Sequence, residues 1–128
     1  MNPELMPDQN QSIVVVEDDA GMKRAIERLL RAAGFQPVSF ASAEELLQTD
    51  ATDSAACLVL DIHLPALSGL ELARLLLTSG RAKPFIFITG QDEASLRDEA
   101  QRLGCAYFHK PFEGKALLEA IRRAIKVD

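Results

Sequence analysis

An apolar run that ends in a carboxylate constrains the fold of this chain more than any other feature. The run Cys57–Leu60 is typical of a strand that is buried on both faces of a parallel sheet. Asp61 follows directly, and burying its ionised side chain against hydrocarbon would cost several kcal/mol. We therefore expect the side chain of Asp61 to emerge where the strand ends, at the sheet edge where open α/β sheets bind their ligands.

Other short apolar runs recur along the chain and predict four more strands. The expected strands are Ile13–Val16, Phe85–Ile88, Ala106–Phe108 and, as an edge strand because of its proline, Pro37–Phe40. Because these runs alternate with helical patterns, we predict a (βα)5 flavodoxin-like fold of the α/β class. Its doubly wound parallel sheet is expected to have the strand order 2-1-3-4-5.

Five segments have the apolar spacing of amphipathic helices. They follow Asp19, run from Ser42 to Gln48, from Gly69 to Thr78 and from Asp92 to Leu103, and include Leu117 to Ile125. Asp19, Asp92 and Ser42 are the predicted N-caps, and Ser42 forms a capping box with Glu45. The polar segment 49–56 is predicted to be a surface loop.

Length and composition narrow the class of protein. The chain has 128 residues, and we expect a flexible tail over residues 1–11 followed by one domain over residues 12–128. A net charge of −5 argues against nucleic-acid binding by these residues. The sequence has neither a signal peptide nor the ~18 apolar residues of a membrane span, so we expect a cytoplasmic protein. Cys57 and Cys105 are expected to be small core residues of a reducing cytosol rather than a disulfide or a metal pair.

Three acidic residues are expected to meet at one edge of this sheet. If the strands before Glu17 and before Asp61 are neighbours, then Glu17, Asp18 and Asp61 converge there. Carboxylates about 4 Å apart repel one another by ~1–4 kcal/mol per pair, so such a cluster needs a cation. All-oxygen ligation suits Mg²⁺ or Mn²⁺, and the backbone carbonyl of His63 is the expected additional ligand.

Phosphoryl transfer is the chemistry that this group of residues suggests. A bound metal ion would leave one oxygen of Asp61 free to attack phosphorus in line. Lys110 follows the last strand, where its ammonium is suited to pair with phosphate. Thr89 follows the fourth strand and offers a hydroxyl donor to a phosphoryl oxygen. The Lys110–Pro111 bond is a candidate cis peptide, because fixing the lysine requires a tight turn.

The order of these residues resembles the response-regulator receiver domain of two-component signalling. The matching positions are the acidic pair Glu17 and Asp18, then Asp61, Thr89, and finally Lys110, Pro111 and Phe112. The loop from Asp61 through Leu64, Pro65 and Gly69 resembles the phosphoacceptor loop of that family. The resemblance extends from Ser12 to Val127. Each of these elements is weak by itself, but their joint occurrence in this order is specific.

The resemblance implies a role for each matched residue. Asp61 would accept a phosphoryl group from a histidine kinase or a histidine phosphotransfer protein, in a stoichiometric reaction without enzymatic turnover. Asp18 and Asp61 would ligate the metal directly, with Glu17 acting through water. Thr89 and Lys110 would be the switch hydroxyl and the family's lysine, and Tyr107 would be the switch aromatic.

A phosphoryl group on Asp61 adds close to two negative charges, which would draw Thr89 toward it and leave room for the ring of Tyr107. This movement would change the face formed by the helix over 92–103, the last strand and the final helix. The apolar stripe of the first of these helices is thin, so we expect that helix to move most easily. We expect a partner or a second copy of the chain to bind this face, and an effector domain outside these residues is a further expectation.

Several alternatives remain open from the sequence. Tyr107 is either a switch residue or an ordinary aromatic at the edge of the core, and His63 either overhangs the site or contributes only its carbonyl. A pseudo-receiver that serves only for docking is one competing function. An aspartyl-phosphate phosphatase is another, although that class requires an acid two residues after the nucleophile, where this chain has His63. The sequence identifies neither the kinase nor the stimulus, the oligomeric state, nor whether the receiver stands alone.

Overall fold

The computed structural model describes residues 11–126 and contains a five-stranded parallel sheet. The strands are β1 Ser12–Val16, β2 Gln36–Phe40, β3 Ala55–Asp61, β4 Phe85–Thr89 and β5 Ala106–His109. Their order is β2-β1-β3-β4-β5, which confirms the predicted topology. It also places the proline-containing strand at an edge, as expected. The predicted tail lies outside the described residues, apart from Gln11.

The described part of the chain contains six helices, one more than predicted. They are α1 Ala20–Ala32, α2 Ala43–Leu47, α3 Ala51–Ser54, α4 Gly69–Thr78, α5 Ala94–Leu103 and α6 Gly114–Lys126. The additional helix, α3, lies in the segment predicted to be a surface loop. That prediction was wrong because Thr52 is buried within the polar sequence and because Arg81 and Lys83 bond to Asp53.

The core has two parts, one on each face of the sheet. Val14 and Val16 of β1 point into the part covered by α2, α4 and α5, whereas Ile13 and Val15 point into the part covered by α1 and α6. This alternation is the period of a strand that is buried on both sides. The continuous apolar runs of the sequence are therefore explained by helices that cover both faces.

The helix caps agree only in part with the sequence. The carboxylate of Asp19 accepts a hydrogen bond from the amide of Met22, which confirms that cap. Ser42 accepts from the amide of Glu45, but Glu45 accepts from the amide of Ala41, so the predicted capping box lacks its reciprocal bond. A complete capping box, which the sequence analysis missed, joins Ser68 and Glu71 at the start of α4.

Two further predictions were wrong. Glu93, and not Asp92, is the N-cap residue of α5, and it makes no side-chain capping bond. Asp92 instead accepts hydrogen bonds from Tyr107 and Arg97.

Both cysteines are free as expected, but Cys105 is exposed and only Cys57 is a core residue. Burial raises the pKa of the Cys57 thiol to about 12.

Candidate functional site

The ends of β1 and β3 bring three carboxylates together. Val16 pairs with Leu60, so the next residues, Glu17 and Asp61, leave neighbouring strands at the same edge. Both side chains are buried, whereas Asp18 is exposed. One carboxylate oxygen from each of the three residues lies within 4.8 Å of the other two. The predicted convergence of the three acids is therefore confirmed.

Lys110 joins this cluster from the end of β5. Its Nζ lies 2.7 Å from Oε1 of Glu17 and 3.1 Å from Oδ2 of Asp61. Its backbone amide donates a 2.7 Å bond to the carbonyl of Thr89, and the peptide bond to Pro111 is cis, as predicted. Burial lowers the pKa of Lys110, but the hydrogen bond to Glu17 and the charge of Asp61 outweigh it, and the pKa is raised.

The electrostatics of the cluster favour a bound cation. Burial and the neighbouring Asp61 together raise the pKa of Glu17 to about 7, although the ammonium of Lys110 opposes the shift. The cluster has three carboxylates but one ammonium group, which bonds Glu17 and Asp61, so in its fully ionised form it carries two uncompensated negative charges. An all-oxygen donor set with this excess charge suits Mg²⁺ or Mn²⁺.

The backbone that follows Asp61 is held closely against α4. Oδ1 of Asp61 accepts a 3.1 Å bond from the amide of His63, and the carbonyl of Ile62 accepts a 3.0 Å bond from the amide of Gly69. A Cβ atom at position 69 would lie 2.2 Å from the carbonyl oxygen of Asp61, so only glycine fits there. Ala66 has a φ of 61°, a left-handed conformation that costs a non-glycine residue about 1–2 kcal/mol.

His63 lies beside the site, and its imidazole faces the start of α5. Nε2 is buried without a hydrogen-bond partner among the described residues and lies 3.9 Å from Oε1 of Glu93. The amide of His63 is engaged with Asp61. That its carbonyl ligates a metal ion stays a prediction.

The hydroxyl of Thr89 is held by its own loop. Thr89 is fully buried at the end of β4, one residue beyond Ile88, which pairs with Asp61. Its Oγ1 donates a 2.8 Å bond to the carbonyl of Gln91 and accepts a 3.0 Å bond from the amide of Gln91. The predicted hydroxyl is thus at the expected strand end, and its hydrogen bonds are satisfied locally.

The hydroxyl of Tyr107 bonds Asp92 rather than a residue of the acidic cluster. Its hydroxyl donates a 2.8 Å bond to Oδ1 of Asp92, whose carboxylate also accepts from Arg97. Partial burial and the bond to Asp92 raise the pKa of Tyr107 to about 12. Sequence reasoning missed Asp92 because its polar side chain near the start of a helix has the pattern of a cap.

Glu44 was also missed, although it reaches the loop after Asp61. Its Oε2 accepts a 3.0 Å bond from the amide of Leu67. The two residues are 23 positions apart, so no local spacing indicates the bond.

Between residues 11 and 126, no helix is both long and apolar enough to span a membrane.

Comparison with known proteins gives a consistent result. Residues 13–122 match the family model described as the response regulator receiver domain. The chain is 40% identical over 117 residues to nodulation protein W of Bradyrhizobium diazoefficiens, covering 91% of this chain and 52% of that protein. It is 36% identical over 123 residues to the response regulator protein TmoT of Ectopseudomonas mendocina, covering 95% of this chain and 56% of that protein.

Solved structures are similar to this fold over almost the whole chain. The non-phosphorylated HemR receiver domain from Leptospira biflexa superposes with a TM-score of 0.83 at 26% identity, covering 93% of this chain and 97% of that one. In contrast, the chain spans only about half the length of the curated relatives it matches.

Proposed function

Because the chain belongs to the response regulator receiver domain family, we propose that it is a phosphorylation-controlled signalling module with Asp61 as the phosphoacceptor. Receiver domains are signalling modules that typically sit with effector domains and take phosphate from histidine kinases. The observation that carries the proposal is the position of the Lys110 ammonium, which bonds both Glu17 and Asp61. We propose that residues 12–128 form the module and, because both cysteines are free thiols, that it works in the reducing cytoplasm.

The chemistry assigned to Asp61 is an in-line displacement at phosphorus. One carboxylate oxygen forms the new P–O bond while the P–N bond to the imidazole of a phosphohistidine donor breaks, and the imidazole keeps the bonding electron pair. Asp61 is oriented for this step because its two oxygens accept bonds from different groups, the amide of His63 and the ammonium of Lys110. The hydrolysis that reverses the modification would be slow and intrinsic to the module.

Two side chains and a bound metal ion would stabilise the negative charge of the transferred phosphoryl group. Lys110 is close enough to Asp61 for its ammonium to pair with a phosphoryl oxygen. The hydroxyl of Thr89 would donate to a second oxygen after leaving Gln91. A bound Mg²⁺ or Mn²⁺ would supply further charge neutralisation. Asp18, Asp61, the carbonyl of His63 and, through water, Glu17 would hold the ion.

The switch that follows phosphorylation is assigned to Thr89 and Tyr107. When Thr89 turns toward the phosphoryl group, the ring of Tyr107 has room to turn inward and must then give up its bond to Asp92. This exchange would alter the surface formed by α5, β5 and α6, which we propose as the binding face for a partner or for a second copy of the chain.

Labelling with acetyl phosphate tests the phosphoacceptor directly. We expect intact-mass measurements to show one added phosphoryl group in the wild type, none in Asp61→Asn and greatly slowed labelling in Lys110→Ala, with complete loss when Mg²⁺ is chelated. Asp50→Asn and Lys115→Ala are matched controls, since each makes the same kind of change away from the cluster and is expected to label normally. Undiminished labelling of Asp61→Asn would refute the assignment, and an unlabelled wild type would favour a docking module that does not depend on phosphorylation.

A further inference from the structure

The loop between Asp61 and α4, residues 62–68, is fixed firmly at its two ends. At the start, the amide of Ile62 donates a 2.9 Å bond to the carbonyl of Ile88 in β4. At the other end, the amide of Gly69 donates to the carbonyl of Ile62, and Ser68 closes the capping box of α4. These bonds determine where the loop leaves the sheet and where it enters the helix.

The middle of the loop is held less favourably. Ala66 has a positive φ, which an alanine adopts only when its surroundings impose it. The side chains of Leu64 and Leu67 pack into the core on either side, but Ala66 itself is exposed. A hydrogen bond that fixes the backbone immediately after Ala66 would therefore determine whether this turn persists.

Glu44 supplies that bond from another element. Its carboxylate accepts from the amide of Leu67, the residue directly after Ala66. The glutamate is itself well anchored, because Ala43 and Leu46 of α2 are buried and Ser42 caps the helix. An ionised acceptor on a fixed helix makes a stronger bond to an amide than a neutral or mobile one does.

We propose that Glu44 is a positioning residue for the loop that follows Asp61. Its bond to Leu67 maintains the left-handed turn at Ala66 and so fixes the path of the loop on which the carbonyl of His63 lies. The proposal rests on the proposed function where it concerns metal binding and phosphorylation. Its structural part, that Glu44 holds the loop, is independent of that function.

Glu45 provides a control one residue away on the same helix. Its carboxylate accepts from the amide of Ala41, just before the N-cap of α2, and so it serves its own helix rather than the loop. Both glutamates lie in the first turn of α2 and are exposed, so an alanine at either position removes the same charge from the same turn. Only Glu44→Ala removes the bond to Leu67, whereas Glu45→Ala removes the local bond to Ala41.

The experiment compares Glu44→Ala, Glu44→Gln and Glu45→Ala with the wild type. In Glu44→Ala, we expect hydrogen exchange of the Leu67 amide to accelerate by about tenfold, the effect of losing one hydrogen bond. We expect the Mg²⁺ concentration for half-saturation, followed by NMR shifts without phosphodonor, to rise several-fold. Glu44→Gln keeps a carbonyl acceptor and should restore most of both properties, and Glu45→Ala should match the wild type.

Two results would overturn the proposal. One is an unchanged exchange rate of the Leu67 amide in Glu44→Ala, which would show that the loop does not depend on this bond. The other is an equal effect of Glu44→Ala and Glu45→Ala, which would assign the change to α2 as a whole. Failure of the wild type to accept a phosphoryl group would refute the proposed function alone, since amide exchange at Leu67 is measured without phosphorylation.

Discussion

Two helices of equal length on the same face of the sheet, α4 and α5, are attached to it very differently. Each has ten residues. In α4 half of them are buried, namely Gly69, Leu70, Leu72, Ala73 and Leu76. In α5 the buried residue is Ala100, with Leu96 and Leu103 partly buried beside it. Because burial supplies most of the stability of a helix in a protein, α4 is fixed to the sheet and α5 is docked lightly.

The starts of the two helices differ in the same direction. Ser68 and Glu71 close a complete capping box at α4, whereas Glu93 at the start of α5 makes no side-chain cap. An ion pair between Arg74 and Glu99 joins the helices, but both side chains are partly exposed and such a pair contributes little. The difference indicates that α4 is held more firmly than α5, both along the helix and at its start; that α5 moves stays a prediction.

Replacing one leucine in each helix by alanine should give the largest change in the free energy of unfolding. Leu76→Ala in α4 should lower the free energy of unfolding by about 2–5 kcal/mol, because Leu76 is fully buried. Leu96→Ala in α5 should cost about 1 kcal/mol, because Leu96 is only partly buried. Urea unfolding of both variants measures the two values. Equal costs would show that the two helices are equally well docked.

Much of this contrast could be predicted from the sequence. The thin apolar stripe of α5 follows from the spacing of Leu96, Ala100 and Leu103, and their observed burial agrees with it. The acidic cluster was also predictable, because parallel strands bring residues that follow them to one edge. Glu17 and Asp61 needed only the correct strand order to become neighbours.

The parts that could not be predicted depend on hydrogen bonds between residues that are far apart in the sequence. Tyr107 bonds Asp92 across 15 positions and Leu67 bonds Glu44 across 23, and no periodic pattern encodes either pair. Asp92 was misassigned as a helix cap, because its local sequence suits that role. The additional helix α3 was missed because Thr52 is polar, although it is buried in the fold.

Removing the N-cap side chain of α4 should cause the next largest loss of stability. Ser68→Ala removes an oxygen that accepts from the amide of Glu71, and loss of such a cap typically costs about 1 kcal/mol. Ser95→Ala, an exposed serine inside α5, is the matched control and should change stability by less than about 0.5 kcal/mol. Urea midpoints measure both. A larger cost for Ser95→Ala would reverse the assigned roles of the helix starts.

The bond between Asp92 and Tyr107 should be visible in the titration of the phenol. The chain has one tyrosine and no tryptophan, so the ultraviolet absorbance of tyrosinate reports this residue alone. The raised pKa of about 12 should fall toward the usual 10 in Asp92→Asn, with burial maintaining part of the shift. Asp98→Asn, also exposed and in α5, should leave the titration unchanged.

The direction of the pKa shift of Tyr107 determines how the stability of the fold depends on pH. A native pKa above the unfolded value means that the neutral phenol stabilises the fold. This contribution is complete below pH 10 and is lost as the pH rises toward 12. The loss should be small, because the hydrogen bond to Asp92 lies at an exposed position where solvent weakens it. If Asp92→Asn leaves the pKa at about 12, then Asp92 does not hold Tyr107.

The smallest effect should come from giving α5 the cap that it lacks. Glu93 has extended backbone angles, φ −112° and ψ 129°, which suit a serine cap. Glu93→Ser should stabilise α5 by up to about 1 kcal/mol, and hydrogen exchange of its amides should slow while that of α4 amides stays the same. Glu93→Gln removes the charge beside His63 without adding a short cap, so slowed exchange in both variants would assign the change to lost charge. If exchange slows only in Glu93→Ser, the missing cap is one reason why α5 is the less firmly held of the two helices.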